Sequence, residues 1–519
     1  MSLAEQHDWF RQSRTRRGVL RGAVMGAGAA VAGSALSATS AQASTRSAGP
    51  TLVSAADRPA GATVAPFGRH LAFGADPSRQ MSVTWQVPAL VKDPYVVIGD
   101  GPGSFGHRIP AELEALSTPA TNVNESAQQY YLRAVLDNLD PGRTYYYAVG
   151  HQGFDPVLTP GGLSAIASFT TGPGRGRVAG PFTFTAFGDQ GEGYDGIVND
   201  ARVLGQRPAF HLHAGDISYS GGGSGLITDT FDPRLWDQFF SQTDLVASQV
   251  PWMVSMGNHD MEPLYSPDGY GGDVKRFAFP GNGPSNCPVV YSFIYGNVGV
   301  LGLDANDVSY DTTANHGYSG GAQTRWLAQR LKLLREQPDV DFIVAHFHYC
   351  AYSTCTSHYS DGGVRQAWLP LFDQYQVDLV INGHNHVYER TDPLRDGKVA
   401  LRAPIGASYD SAAGTTYIAA GTGGAGFYAF NAPQSFEGNV NNVESIKTQV
   451  VSNLSGQLEP QTVTWSQARY AGYGFLAVDV RPARQGQTTT MTVRSVSEQG
   501  AELDRVTLRR TAGAQGKGV

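Results

Sequence analysis

Two histidines one residue apart, in Gly383-His384-Asn385-His386, close an apolar run of strand type over residues 376–381. Imidazoles spaced this way in a Gly-led turn can reach two different metal ions. Four other strand-like runs end comparably. Residues 182–187 lead into Gly188-Asp189-Gln190-Gly191, and residues 209–214 into Gly215-Asp216-Ile217-Ser218-Tyr219. Residues 251–256 lead into Gly257-Asn258-His259-Asp260, and residues 341–347 into His348. A single Gly-Asp or Gly-Asn-His is a weak signal. Five in succession, each offering a ligand where a strand stops, point to a metal centre at the carboxyl ends of an α/β sheet.

Positioning these turns takes a large chain. At 519 residues two or three domains are expected. Charged residues are 16% and apolar ones 41%, with 63 glycines and 24 tyrosines, which suits a loop-rich globular protein containing much β-structure. A formal net charge of −7 argues against a general nucleic-acid binder. The first 43 residues stand apart. Thr15-Arg16-Arg17-Gly18-Val19-Leu20 is a twin-arginine pattern, followed by a Gly/Ala-rich stretch to about Ala32 and an A-x-A cleavage signal at Ala41-Gln42-Ala43. Export through the twin-arginine machinery, already folded, to an extracellular, periplasmic or cell-wall location is the expectation. No later segment is long and apolar enough to read as a membrane helix.

Residues 44–65 read as a Ser/Ala/Pro-rich linker. From 66 to 175 short alternating strands separated by turn residues predict a β-sandwich, with Trp85 inside. Leu139-Asp140-Pro141-Gly142, followed by Tyr145 and Tyr147, resembles the corner of fibronectin type III domains. No cluster of His, Cys or carboxylates lies there, so its role reads as packing or positioning. Residues 180–519 alternate strands with helical stretches and predict an α/β domain.

The succession Gly188-Asp189-x-Gly191, Gly215-Asp216-x-x-Tyr219, Gly257-Asn258-His259, Ala345-x-x-His348 and Gly383-His384-x-His386 resembles the purple acid phosphatases, within the calcineurin-like metallophosphoesterases. The resemblance covers most of the chain beyond the export signal, and implies a fibronectin-like domain followed by a two-sheet α/β sandwich flanked by helices. Gly317-Tyr318-Ser319-Gly320-Gly321 and residues 365–370 are similar to an exported bacterial branch of the family. Ala345 stands where Val is usual, and Asp260 where Glu is common.

The resemblance implies a first metal held by Asp189, Tyr219, His386 and a shared Asp216, and a second held by Asn258, His348, His384 and the same Asp216. Three anionic oxygens suit Fe(III); neutral ligands with one carboxylate suit Zn, Mn or Fe(II). Gly191 replaces the histidine usual in the wider superfamily, and Tyr219 takes over as phenolate. The implied reaction is hydrolysis of a phosphate monoester by metal-bound hydroxide, with His259 and His358 on the substrate side. The alternatives are a phosphodiesterase or phospholipase-type activity on the same metals, and a non-catalytic binding protein that kept the fold.

His348, rather than His346, is the expected ligand of its strand end. His211 and His213 read as satisfied core histidines, and His316 stays undecided. Of the three cysteines, Cys350 and Cys355 flank a short loop where an oxidising compartment would permit a disulfide, leaving Cys287 free. Residues 427–467 read as a long loop over the site. The last strands are expected near 470–480, 488–495 and 503–509.

Overall fold

The computed structural model describes residues 64–120, 124–159, 166–175, 179–221, 231–262, 269–439 and 445–513. The export signal expected over 1–43 and the linker as far as residue 63 lie outside the described residues.

Among the described residues, eight strands between Phe67 and Thr170 form two four-stranded antiparallel sheets. Alternation drives their facing: Met81–Val87 pairs with Phe67–Phe73 and with Ala127–Leu136, and Trp85 is fully buried. Tyr145 closes the corner, its hydroxyl accepting from the Asp140 amide at 2.9 Å. Tyr147 instead reaches outward and donates to the Ser248 carbonyl at 2.7 Å. His70 stacks on Phe240 with ring centroids 4.5 Å apart and meets the Arg276 carbonyl at 2.7 Å. The sandwich is packed against the α/β domain, not merely tethered to it.

That second domain has two seven-stranded sheets face to face. The first contains three parallel strands, β1 (Phe182–Phe187), β2 (His211–Ala214) and β3 (Trp252–Ser255), extended by antiparallel strands from the C-terminal part of the chain. The second contains the parallel run β4 (Phe342–Phe347), β5 (Leu379–Asn382) and β6 (Thr416–Ala420). Sheet β4 to β6 is buried on both faces, which is why its strands read as continuous apolar runs. Phe342 and Val344 face the layer between the sheets, while Ile343, Ala345 and Phe347 face the helices. Among the described residues four longer helices cover the outside: α1 (Tyr194–Gly205) and α2 (Arg234–Ala247) over the first sheet, α3 (Ala322–Glu336) and α4 (Gly362–Gln374) over the second. The α4 start is set by Asp361, whose carboxylate accepts from the Val364 amide at 2.9 Å. None of the helices among the described residues is long and apolar enough to cross a membrane.

The C-terminal strands run Gly474–Arg481, Thr488–Ser497 and Glu502–Thr511, close to their expected places. Residues 427–467 depart from expectation. Only the first part is a loop over the site; Ile446–Val451 and Leu458–Val463 form an antiparallel hairpin, and Ser466–Tyr470 joins the second sheet. The strand pair Tyr291–Tyr295 and Val298–Gly302 was also not anticipated.

Asp378, just before β5, is fully buried between two arginines. Its carboxylate accepts from Arg335 at 2.9 Å and from the Ile343 amide at 2.8 Å, and pairs with Arg510. Burial opposes its charge, but Arg510 and Arg335 outweigh burial and hold its pKa below the ordinary value. A carboxylate depressed in the fold stabilises above its unfolded pKa of about 3.9, and that contribution is lost as pH falls through the folded value. Asp378→Asn strands two buried guanidinium groups and should cost about 3–5 kcal/mol at neutral pH. In urea unfolding, the gap between wild type and variant should narrow as pH drops below about 4; a gap independent of pH would refute the pairing.

Candidate metal centre

The carboxyl ends of β1 to β3 face those of β4 and β5, and every motif residue lies in the loops where they meet. Asp189 follows β1, Asp216 and Tyr219 follow β2, and Asn258 and His259 follow β3. His348 follows β4, and His384 and His386 follow β5. The motif glycines let these loops close on one another. A Cβ on Gly257 would lie 2.2 Å from Asp216 Oδ1, and one on Gly383 would lie 2.6 Å from Asp189 Oδ2. Asp189, Asp216, Tyr219, His358 and His384 have φ between 49° and 66°, half of the ten described non-glycine residues in that region. Side chains pay strain there, and its concentration at one place marks a functional site.

Among the described residues three groupings of ligand atoms arise: Asp189, Asp216 and His386; Asp216, His348 and His384; and Asp311, His358 and His384. The first two share Asp216, as a bridging carboxylate would require. At the first, His386 Nε2 lies 3.0 Å from the Tyr219 hydroxyl and 3.3 Å from Asp189 Oδ1. Burial and the carboxylates of Asp189 and Asp216 push the Tyr219 phenol well above its ordinary pKa. A phenolate here therefore calls for a strongly polarising cation. At the second, His348 Nε2 is 3.0 Å from Asn258 Oδ1, 3.1 Å from His384 Nδ1 and 3.3 Å from Asp216 Oδ2.

Tautomers test whether these residues fit a metal. His348 Nδ1 donates to the Ala214 carbonyl at 2.9 Å, and His384 Nε2 donates to the Asp311 carboxylate at 2.7 Å. In the neutral rings the remaining nitrogens carry lone pairs, and these converge at 3.1 Å beside a carboxylate and an amide oxygen. Such an arrangement repels itself unless a cation sits among the lone pairs. Without one, a proton must serve: burial disfavours charge on His348, but Asp216 overrides it and raises the pKa to about 9. His384 goes the other way, to about 3, through burial and the neighbouring His358. The donor set fits a dinuclear centre.

The surrounding residues fix this set. Asp260 accepts from the amides of Gly257 at 2.7 Å, Asp216 at 2.9 Å and Ile217 at 2.9 Å, binding two ligand loops together. The shorter acid thus serves where Glu is common. The Asn385 amide donates to the His358 carbonyl, joining the two histidine loops. His259 Nδ1 meets the Gly221 carbonyl at 3.1 Å, and its ring lies 4.6 Å from that of Tyr219. His358 Nδ1 donates to Asp311 at 2.9 Å. Tyr428 stacks on His386 with centroids 4.3 Å apart, forming one wall.

A family model described as the purple acid phosphatase N-terminal domain matches residues 66–171, and one described as calcineurin-like phosphoesterase matches residues 182–388. The chain belongs to the purple acid phosphatases. It is a phosphoesterase of the metal-dependent kind, with an all-β domain ahead of its α/β domain. An uncharacterised protein of Mycobacterium tuberculosis is 33% identical over 468 residues, covering 82% of each chain. Purple acid phosphatase 23 of Arabidopsis thaliana is 29% identical over 308 residues, 56% of this chain and 61% of the relative. A purple acid phosphatase structure from yellow lupin seeds shares the fold at a TM-score of 0.64 and 20% identity, covering 86% of this chain and 75% of its own.

Other expectations fare differently. His346 stays on its paired strand, fully buried, with Nε2 3.1 Å from the Tyr291 hydroxyl, outside the three groupings. His211 and His213 are core residues against Phe187 and Trp252, but satisfied describes them poorly. Only His211 Nδ1 has a partner, Thr185 at 3.0 Å; neither ring nitrogen of His213 has one among the described residues. His316 is a loop residue whose Nδ1 meets the Ser309 carbonyl at 3.0 Å. The disulfide does not form. Cys350, Cys355 and Cys287 are all buried free thiols, and Cys350 donates to the Gly383 carbonyl at 3.1 Å. Sequence reasoning missed Asp311, which no motif spacing marks, and Tyr428, whose only herald is the Gly-rich turn before it.

Proposed function

We propose that this phosphoesterase is an acid phosphatase acting on phosphate monoesters at an Fe(III)–M(II) centre, M being Zn, Mn or Fe(II). The observation that carries the reading is the convergence of the His348 and His384 lone pairs beside Asp216, 3.1 Å apart. Asp189, Tyr219, His386 and Asp216 would hold the trivalent ion; Asp216, Asn258, His348 and His384 the divalent one. When bound, the pair supplies Lewis acidity toward the phosphate oxygens and an activated water as nucleophile.

The protein's own groups do the rest. His259, whose Nδ1–H goes to the Gly221 carbonyl, has Nε2 3.9 Å from Asp216 Oδ2; as imidazolium in acid it would donate from Nε2 to a phosphate oxygen. His358, whose Nδ1–H goes to Asp311, carries a second proton on Nε2 as imidazolium, and in that form Nε2 gives it to the departing alkoxide. Tyr428 limits the cleft beside His358, with ring centroids 5.7 Å apart, and so bears on the size of the ester group accepted. The twin-arginine pattern at 1–43 supports export in the folded state, so the centre would be loaded before transport.

The test combines metal analysis with turnover of p-nitrophenyl phosphate and of its bis ester. Iron plus one divalent ion per chain, with the monoester preferred in acid, is expected. Preference for the bis ester would move the reading to a phosphodiesterase, and no turnover of either with both metals bound would move it to a binding protein.

A further inference from the structure

Asp311 lies in the segment between β4's neighbour strand Val298–Gly302 and helix α3, well outside every ligand-bearing turn. A single oxygen of its carboxylate, Oδ2, accepts from His384 Nε2 at 2.7 Å and from His358 Nδ1 at 2.9 Å. The two rings it joins lie 4.2 Å apart. One is a ligand of the divalent site; the other is the proton donor to the leaving group. The segment is itself held. Its amide donates to Asp361 Oδ2 and to Ser309 Oγ, each at 3.1 Å. Asp361 Oδ2 also accepts from Ser309 Oγ at 2.7 Å and from the Tyr310 amide at 3.0 Å, while Oδ1 caps α4. Asp361 is buried, so the carboxylate of Asp311 is delivered from a fixed base.

We propose that Asp311 is a positioning residue that sets the metal-binding tautomer of His384 and the orientation of His358 at once. The chemistry is specific. His384 can offer Nδ1 to a metal only while Nε2 keeps its proton, and an anionic acceptor at Nε2 enforces that state and raises ligand basicity. The same oxygen, by taking His358 Nδ1–H, turns Nε2 of that ring toward the ester oxygen. Divalent-metal affinity and leaving-group protonation therefore depend on one atom. This rests on the dinuclear reading above. A third cation among Asp311, His358 and His384 competes with it, but both rings already spend their N–H groups on Asp311.

Asp311→Ala, loaded with iron and zinc, should bind zinc about 10–100-fold more weakly in competition with a chelating dye. Iron content and the thermal unfolding midpoint should not change, which a merely structural role would not spare. Turnover of an alkyl phosphate should fall further than that of p-nitrophenyl phosphate, because only the poor leaving group needs the proton. Should the alanine variant fail to fold, Asp311→Asn serves. Its amide oxygen can still accept from both rings but carries no negative charge, so zinc affinity and leaving-group dependence must still change, though less than in the alanine variant. Wild-type behaviour of either folded variant in both measurements overturns the proposal. A second equivalent of zinc beside the iron in the wild type, lost on substitution, overturns it in favour of a third cation site. A wild type that binds no divalent metal instead refutes the dinuclear reading, a result separable from the first two.

Discussion

Replacing His348 with alanine is expected to empty the divalent site and lower kcat by about 10³-fold or more, whereas His346→Ala should keep both metals. The magnitude follows from losing Lewis-acid stabilisation worth several kcal/mol, at 1.36 kcal/mol per tenfold. Strand parity does not separate the two residues, since both point to the same face of β4. The separation comes from where pairing stops. His346 still pairs with Ile381 and with Gly302, and its ring is engaged by Tyr291. His348 lies beyond Phe347, the last residue of β4, and its Nε2 meets Asn258, Asp216 and His384 within 3.3 Å. Removing it leaves three donor groups for the divalent ion and takes away the fixed tautomer supplied by the Ala214 carbonyl. Metal content by elemental analysis, beside kcat on p-nitrophenyl phosphate, decides the matter. If His346→Ala lost the zinc and His348→Ala kept it, the roles given to this loop, His358 included, would have to be redrawn.

What the sequence revealed and what it hid divide along a physical line. A ligand contiguous with its own turn is legible, because Gly-Asp or Gly-Asn-His records both the sharp backbone and the donor in adjacent letters. Asp311 is not, because its meaning comes from His384, 73 residues away, and from an anchor at Asp361 that exists only once α4 is in place. Cys350 and Cys355 were close enough in sequence for a disulfide, yet spacing does not say where a thiol points. Leu458–Val463 hid for a different reason: its residues are largely exposed and polar, so no alternation announces the strand. The hairpin at Tyr291–Gly302 was readable in principle, since Gly296-Asn297 divides two β-rich runs and such a pair favours a tight turn. His213 shows the converse limit. Burial is inferable from a strand pattern, but hydrogen-bond satisfaction is a property of neighbours that the pattern does not contain.

Tyr219→Phe should abolish visible absorption of the oxidised protein while leaving the divalent metal in place. The hydroxyl lies 3.0 Å from His386 Nε2 and 3.4 Å from Asp189 Oδ1, within the ligand set assigned to the trivalent ion. Phenolate-to-iron charge transfer needs the phenolate, and burial beside two carboxylates keeps the phenol protonated in the absence of a strong cation. The colour is thus a direct reading of a highly charged ion bound at this oxygen. Phenylalanine deletes one oxygen atom and keeps the ring that packs 4.6 Å from His259, so the loop should hold its place. Asp216, Asn258, His348 and His384 are untouched, and zinc or its equivalent should remain near one per chain. Iron should bind more weakly, having lost one of three anionic oxygens, and the variant's activity should fall with iron occupancy. Visible spectra and metal analysis on the same samples give the answer. A colourless wild type carrying two zincs per chain would sink the iron–tyrosinate assignment, while the lone-pair convergence at His348 and His384 would still fit a metal there.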